Sequence, residues 1–313
     1  MRRSEDDYKE LAKNALLELV QEELAVGWQE AQARIADRRW RSAPLPINPH
    51  HMTNARNELI ATGRLRVSSD PARTGTAIEL LHPGDDRGIR DRIRTAGRHK
   101  RNLLSRVEVW ARSTSRYRQG LVGTAAERVV RRSIARVGTA GIRPLVEGDR
   151  EVATFLGAPI VGGPLDSAAW VDQLDHYGRA EGSVLCPIEV KNVRHWLYSN
   201  AAELYQVLFK AARLQEQHPD LDICPVIFCR RCAYDTDMGM SKDLGFRVLE
   251  VRRQFILPVA AAPESEVEEV NQALGYDLER TDSPHESVVR GGAQCGALEN
   301  QRGSTRGAVR AST

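Results

Sequence analysis

Long hydrophobic runs are the first feature that this sequence lacks. No apolar stretch among its 313 residues approaches the roughly 18–20 residues that span a bilayer, and no signal-peptide core follows the basic start. We therefore expect a cytoplasmic protein. With 41% hydrophobic and 28% charged residues, the composition also excludes a fully disordered chain and a collagen-like one. The length is enough for two domains, or for one large domain with appendages.

Cysteine is scarce and odd in number. Five Cys residues in a chain expected in the cytoplasm do not predict a disulfide framework. Cys229 and Cys232 have the spacing of half a zinc site, but a complete site needs four ligands, usually from two such pairs. Cys186 and Cys224 lie in apolar strand-like runs, where a free thiol behaves as a small hydrophobic side chain. A zinc site is therefore the less favoured interpretation of these cysteines.

Lysine is scarce as well, whereas arginine is abundant. Of the 45 basic residues, 39 are Arg and 6 are Lys. Residues 87–150 carry 17 Arg and Lys against 5 Asp and Glu, a net charge of +12, within a chain whose total is only +3. Because the Arg guanidinium binds two phosphate oxygens at once and keeps its charge, this clustering favours a polyanionic partner. The alternative is that the Arg usage reflects a GC-rich genome and that the charges lie on solvated helix faces.

The first 83 residues predict three helices. Apolar residues at helical spacing predict one helix over 6–25 and a second over 28–37. Asn48 followed by Pro marks the start of a third helix, which covers about 49–62, and Gly63 marks its end. On the third helix, the residues expected to be buried are Met52, Ala55, Leu59 and Ile60, and those expected to be exposed are His51, Asn54, Asn57 and the adjacent Arg64.

A hairpin is predicted after the third helix. Residues 65–67 and 76–81 are expected to form short strands around the turn-rich segment 68–75. Three helices followed by a basic-tipped hairpin resemble a winged-helix domain, a variant of the helix-turn-helix. The resemblance covers about 6–82 and implies that helix 49–62 enters the major groove of DNA while the hairpin tip contacts a neighbouring backbone or minor groove. The alternative is a small helical domain that binds another protein. The DNA-binding residues implied by the resemblance are His51, Asn54, Asn57, Arg64 and Arg73.

The rest of the chain predicts a second domain with flanking segments. We expect an Arg-rich helical connector at 84–119, a mixed α/β domain at 120–260 and an acidic, largely disordered tail at 261–313, in which a short helix occupies 264–274. The helices expected in the α/β domain are 121–137 and 200–217, and the expected strands are 152–161, 166–174, 184–190, 223–229 and 246–251.

A charged pair interrupts one of these apolar strands near its end. The segment 184–192 is apolar except for Glu189, Lys191 and the final Asn, and the two-residue period of a strand places Glu189 and Lys191 on one face. A carboxylate and an ammonium on a buried strand are costly unless they have partners or a function. The alternative is a structural ion pair between them.

A second carboxylate is predicted beside Glu189. If the strand that starts at Asp166 pairs antiparallel with the Glu189 strand, the midpoint between the two acids falls in the turn-rich segment 176–179. Asp166 would then lie next to Glu189. Asp172 projects to the same face as Asp166 and is the alternative. Since two adjacent carboxylates repel each other unless a cation is present, a hard divalent ion such as Mg²⁺ is the natural occupant.

These residues resemble the motif of the PD-(D/E)XK nuclease superfamily, whose members have the restriction-endonuclease-like fold. The resemblance covers about 120–255 and implies a mixed-sheet α/β core. Leu165 stands where the Pro of the family name would be. The matching positions are Asp166, Glu189, Val190 and Lys191 on the strands, Glu127 on the helix before the sheet and Gln206 on the helix after the E-x-K strand.

By this resemblance, the reaction is hydrolysis of a phosphodiester bond with Mg²⁺, or alternatively Mn²⁺, as the cofactor. Lys191 would orient the attacking water, and Gln206 would position the nucleophile or the DNA backbone. The implied metal ligands are Asp166, Glu189, the carbonyl of Val190 and, at the edge of the site, Glu127.

Ordinary structural roles remain open for two of these residues. Glu127 has the i,i+4 spacing for an ion pair with Arg131, and Gln206 can be a polar residue on a solvated helix face. The resulting hypothesis is an endodeoxyribonuclease, of restriction, repair or junction type, with a winged-helix reader; a homodimer would let it cut both strands. The alternative is a non-catalytic DNA-binding protein with a degenerate nuclease fold.

Overall fold

The computed structural model describes residues 4–37, 47–71, 77–137, 141–174, 177 and 179–289. Among these residues, no helix has the length and the apolarity needed to cross a bilayer. The α-helices are α1 (Glu5–Glu23), α2 (Trp28–Ala31), α3 (Pro49–Ala61), α4 (Arg90–Ala111), α5 (Gly120–Val137), α6 (Ala202–Gln217), α7 (Ser241–Leu244) and α8 (Glu264–Leu274). The strands are β1 (Val26–Gly27), β2 (Leu65–Pro71), β3 (Ala77–Pro83), β4 (Ile142–Pro144), β5 (Thr154–Phe155), β6 (Ala158–Pro159), β7 (Ser167–Leu174), β8 (Ala180–Lys191), β9 (Val226–Cys229), β10 (Arg247–Glu250), β11 (Gln254–Ile256) and β12 (Leu278–Arg280). Turns of π-helix follow α2 at Gln32–Ala36 and precede α7 at Asp235–Met240.

The chain divides into two compact units. The first unit consists of the residues up to Thr114 together with Val259–Leu278, and the second consists of Ser115–Pro258 together with the residues from Glu279 onward. This division differs from the predicted boundaries, because a segment close to the C-terminus belongs to the first unit.

Local capping signals set the helices of the first unit. The Ser4 hydroxyl accepts a hydrogen bond from the Asp7 amide at 3.2 Å, and the Ser4 amide donates to the Asp7 carboxylate at 2.8 Å, which together form a capping box. Asn48 caps α3 by accepting from the His50 amide at 2.9 Å, as the Asn-Pro pair predicts. The α1 residues that pack inward are Ala12, Ala15, Leu16, Leu19 and Val20, a stripe at helical spacing.

Three short strands complete the N-terminal part of this unit. Strands β2 and β3 form the predicted antiparallel hairpin, and β1 pairs antiparallel with β3, so the strand order is β1-β3-β2. The hairpin strands are longer than the sequence predicts, because the ladder extends from Leu65 opposite Pro83 to Pro71 opposite Ala77. The predicted Arg73 contact at the hairpin tip lies outside the described residues.

The predicted connector belongs to the first unit as far as Thr114, and its last five residues belong to the second. Helix α4 packs on β3, and the Lys100 side chain on α4 is 4% exposed. Its ammonium lies 2.5 Å from Glu30 and 2.9 Å from Glu23, and it donates to the Ala273 carbonyl at 2.7 Å. Pairing of this kind offsets the cost of removing a charge from water. Residues 84–111 therefore contribute to a folded core rather than forming a separate linker.

The prediction of a largely disordered tail from residue 261 is wrong for the part that the structure describes, up to 289. Helix α8 is the short helix expected at 264–274, and its apolar residues Val267, Val270 and Leu274 form a buried stripe at helical spacing. In the first unit, the Trp110 indole also donates to the Ala261 carbonyl at 3.0 Å. The helix itself is therefore as predicted, and the error lies in assigning the segment around it to a disordered tail.

The second unit is built on a five-stranded mixed sheet in the order β10-β9-β8-β7-β4. Strands β4, β7 and β8 are antiparallel neighbours, whereas β9 and β10 run parallel to β8. Helix α6 packs against the face that carries Ala168 and Leu185, and α5 borders the opposite face with Ala169 and Ile188. The mixed α/β class predicted for this part of the chain is confirmed.

One predicted strand of the sheet is wrong. Residues 152–161 form no long strand but turn back on themselves, with β5 pairing with β6. Leu156 and Gly157 both have positive φ angles, +47° and +84°, which makes the tight turn between these two strands. The sequence predicts neither the short edge strand β4 nor the helical segment before β10.

Candidate active site

The β7–β8 hairpin brings two carboxylates together. Ser167 lies opposite Ile188 in the ladder, so Asp166 comes next to Glu189. The Asp166 carboxylate accepts a hydrogen bond from the Val190 amide at 2.7 Å. This register confirms the predicted hairpin, because antiparallel strands joined by a short loop have one natural midpoint.

The alternative carboxylate lies elsewhere. Asp172 is opposite Ser183, six residues and about 20 Å along β7 from Asp166. Its Oδ1 accepts from the Ser183 hydroxyl at 2.8 Å and from the Arg143 guanidinium at 2.7 Å, and these bonds lower the pKa of Asp172. Asp172 is therefore a stably ionised, partly exposed residue outside the carboxylate pair.

Asp166 is held in an environment that disfavours its charge. Burial, and then the nearby carboxylates of Glu189 and Glu127, raise the pKa of Asp166 to about 7, against the opposing effect of the Val190 amide and Lys191. Three carboxylates are thus close enough to interact. Such crowding of negative charge is typical of sites where function, rather than stability, determines the residues.

Two lysines surround Glu189, whose side chain is 3% exposed. Lys191 lies 3.3 Å from Oε2, in the arrangement that the E-x-K spacing predicts. Lys210, on α6, pairs with Oε1 and also donates to the Pro164 carbonyl at 2.6 Å. Lys210 therefore links Glu189 to the segment that leads into Asp166.

Sequence reasoning missed Lys210. The family resemblance points to Gln206 on the same helix. The Gln206 side chain is exposed, whereas Lys210 lies one helical turn further and is buried. Exposure agrees with the alternative in which Gln206 is a solvated polar residue, and its role near a substrate stays a prediction. Two features of the sequence indicate that Lys210 is buried. It is one of only six lysines, and it lies on the face of α6 that also carries the apolar residues Val207 and Leu214.

Glu127 lies close enough to Asp166 to raise its pKa, and it forms the ion pair that its spacing predicts; its role as a metal ligand stays a prediction. Its carboxylate is 3.1 Å from Arg131, and burial raises the pKa of Glu127. The Arg131 side chain also donates to the Asp166 carbonyl at 2.6 Å. Arg131 therefore joins the helix carboxylate to the strand that carries Asp166.

The carboxylate oxygens of this site are the type of ligand that a hard divalent cation prefers. In the part of the chain that the structure describes, no group of three or more His, Cys, Asp or Glu side chains is arranged as a ready set of metal ligands. Asp166 and Glu189 are nevertheless two adjacent oxygen donors whose repulsion a cation would relieve. Since Mg²⁺ commonly binds through one or two carboxylates and completes its shell with water and substrate phosphate, two carboxylates are enough.

The loop before Asp166 depends on glycine. Gly162 and Gly163 have φ angles of +94° and +97°. A Cβ atom on Gly162 would lie 3.0 Å from the Phe209 ring and 3.2 Å from Cγ of Lys210, whereas a Cβ atom on Gly163 would have no neighbour within 4 Å. Gly162 is therefore required for its backbone angle and for its close approach to α6.

These two glycines provide a matched pair of variants. We expect Gly163→Ala to cost about 1–2 kcal/mol of unfolding free energy, for the backbone angle alone, and Gly162→Ala to cost about 1–3 kcal/mol more because α6 must also shift. Urea unfolding in EDTA measures both. Equal losses for the two variants would show that α6 does not press on this loop.

The four described residues predicted to bind DNA divide into two groups. Asn54, Asn57 and Arg64 are exposed, as expected for contacts with a partner. The prediction that His51 is exposed is wrong: its ring stacks on Tyr8 of α1, with ring centroids 5.6 Å apart. Helical periodicity alone cannot show that α1 crosses α3 at this point.

The two cysteines of the 229–232 segment are buried. A hydrogen bond with Cys229, and burial, raise the pKa of the Cys232 thiol, which disfavours the thiolate that a zinc ion requires. Among the described residues, no third ligand joins them. The structure gives the zinc interpretation no support beyond the spacing itself.

No family model, no curated protein and no solved structure matches this chain. The side chains of the site are therefore what indicates a function for this chain. There, a β-hairpin pairs Asp166 with Glu189, and lysines from β8 and α6 surround Glu189. Carboxylates and lysines in this arrangement can bind both a hard cation and a phosphate.

Proposed function

We propose that this protein is an Mg²⁺-dependent endonuclease that hydrolyses phosphodiester bonds in DNA. The observation that carries the proposal is the position of Asp166 beside Glu189, with Lys191 on the same strand face two residues further. Two acids and a lysine at the exit of a buried strand are costly to fold. A role in catalysis explains why this chain has them.

The connectivity of the second unit supports the same proposal. Helix α5 precedes three antiparallel strands, β4, β7 and β8; helix α6 follows, and β9 then adds parallel to β8. This order resembles the restriction-endonuclease-like fold. The proposed site lies where the acidic ends of β7 and β8 meet, next to the buried face of α6.

The residues of the site have distinct tasks in this proposal. Asp166, Glu189 and the Val190 carbonyl hold the cation, with Glu127 at its edge. When bound, Mg²⁺ supplies Lewis-acid stabilisation of the phosphate and makes water more acidic. The Lys191 ammonium orients the attacking water and offsets the negative charge that grows on the phosphate.

The first unit supplies the proposed DNA reader. Three helices and a β1-β3-β2 sheet are the elements that the winged-helix resemblance requires, and α3 presents Asn54 and Asn57 to solvent, with Arg64 just beyond its end. Asn side chains can form paired hydrogen bonds with adenine, and Arg can bind guanine or phosphate. This unit would bind the duplex, and the second unit would cut it.

Supercoiled plasmid tests the proposal directly. We expect the purified protein to convert it to nicked and linear forms in Mg²⁺ or Mn²⁺, and not in EDTA. Electrophoretic analysis of a time course measures the rate. Tight DNA binding without cleavage in either metal would favour a non-catalytic DNA-binding protein. A protein that neither binds nor cuts DNA would overturn both the nuclease and the DNA-binding proposals.

A further inference from the structure

The solvent face of α6 carries an unusual pair of aromatic side chains. Tyr205 and Phe209 are each 51% exposed, in a chain with only 5% aromatic residues. Their i,i+4 spacing places them on one side of the helix, one turn apart. The Tyr205 hydroxyl donates to the Ser199 carbonyl at 3.2 Å, which anchors the ring without using its faces.

This aromatic pair adjoins the carboxylate site. Phe209 directly precedes Lys210, which pairs with Glu189, and the Phe209 ring lies against Gly162 in the loop that leads to Asp166. A base stacked on the Phe209 ring would therefore lie beside the loop that leads to Asp166. The aromatic face and the site share the same supporting loop and helix.

The Arg213 side chain continues the row that Tyr205 and Phe209 form along α6. The Arg213 guanidinium, one turn beyond Phe209, lies 5.9 Å from the centroid of its ring and 2.6 Å from Glu216. Exposed aromatic rings interleaved with Arg are the combination that binds unpaired nucleic-acid bases, because the rings stack on base faces and Arg contacts phosphate or stacks as well. An intact duplex exposes base faces only at its two ends, so it gains much less from such aromatic rings than a single strand does.

We propose that Tyr205, Phe209 and Arg213 form a stacking platform for unpaired bases. The preferred DNA would then contain a single-stranded stretch beside the bond to be cut, rather than being uninterrupted duplex. The choice of DNA rests on the proposed endonuclease function, whereas the platform itself rests on the exposed rings and the cation beside them. A protein partner on this face is the competing outcome, and the Arg at the end of the row favours nucleic acid.

Fluorescence anisotropy in EDTA, where no cleavage takes place, tests the platform with the full chain. The probes are a labelled 20-nucleotide oligo-dT and a blunt duplex of equal length. We expect Phe209→Ala and Tyr205→Ala each to weaken binding of the single strand about 10-fold and to change binding of the duplex less than about twofold. Tyr205→Phe, which keeps the ring, should bind as the wild type does. Tyr234→Ala removes another exposed ring, 74% exposed, from the same unit and is the matched control.

The outcomes separate the platform from the nuclease proposal. A wild type that cuts plasmid, together with alanine variants that bind the single strand normally, overturns the platform alone. Selective loss of single-strand binding in a protein that never cuts supports the platform and overturns the nuclease. Equal losses on both probes would show that the face contacts DNA without selecting unpaired bases. A change in oligomeric state by light scattering would show that the face binds a protein partner. Either result overturns the platform. Thermal melting of each variant confirms that it is folded.

Discussion

Replacing Asp166 with Asn is expected to lower Mg²⁺-dependent plasmid cleavage by about 10³-fold, because a lost metal ligand removes several kcal/mol of charge stabilisation and each 1.36 kcal/mol is a factor of ten. Asp172→Asn is the matched control. It makes the same chemical change on the same strand, but Asp172 lies with Arg143 and Ser183, outside the carboxylate pair. We expect this control to cut within about twofold of the wild type. Initial rates of nicking at saturating Mg²⁺ decide the comparison.

The same Asp166→Asn variant is expected to be more stable than the wild type in EDTA at pH 8. The pKa of Asp166 is raised to about 7, mainly by burial, against about 3.9 in an unfolded chain. A carboxyl whose pKa is higher when folded loses stability as the pH rises between these two values, so the penalty is complete at pH 8 and absent below about pH 4. We expect a gain on the order of 2 kcal/mol.

Thermal melting at pH 8 and pH 5 measures this gain and its decline toward acid. An inactive variant that is also more stable would identify Asp166 as a residue kept for function at a cost in stability. A variant that is inactive and less stable would instead show that Asp166 mainly supports the hairpin, and the site assignment would then be wrong.

Lys210→Met is the second variant with a large expected effect. The substitution leaves the buried Glu189 carboxylate with Lys191, 3.3 Å away, as its remaining lysine partner. It also removes the hydrogen bond from Lys210 to the Pro164 carbonyl. Removing one partner of a buried ion pair lowers the free energy of unfolding by about 3–5 kcal/mol. Because Lys191 remains, we expect a loss of about 3 kcal/mol in urea unfolding in EDTA. Lys242→Met, at an exposed position, is the control and should change little.

A double variant tests whether the loss comes from an unpaired charge. Adding Glu189→Gln to Lys210→Met removes both buried charges, so the double variant is expected to recover most of the stability that either single change loses. If the losses simply add, Lys210 stabilises α6 by packing rather than by pairing with Glu189. A Lys210→Met protein as stable as the Lys242→Met control would contradict the pairing itself.

The sequence by itself determined the features that depend on neighbours along the chain. The cap at Asn48, the stripe of α1 and the hairpin register that places Asp166 beside Glu189 all follow from residues close in sequence. Such contacts have little loop-closure cost, and the two-residue period of a strand leaves one register that buries the apolar face. The E-x-K spacing then predicts the contact between Lys191 and Glu189 in the same way.

Only the tertiary structure decided which distant segments meet. Lys210 reaches Glu189 because α6 returns across the sheet, α8 joins the first unit from more than 140 residues beyond α4, and His51 is covered by Tyr8 rather than exposed. Period and composition show which face of an element is apolar, but not which element will cover it. That choice depends on the packing of several faces at once, and a single sequence does not display it.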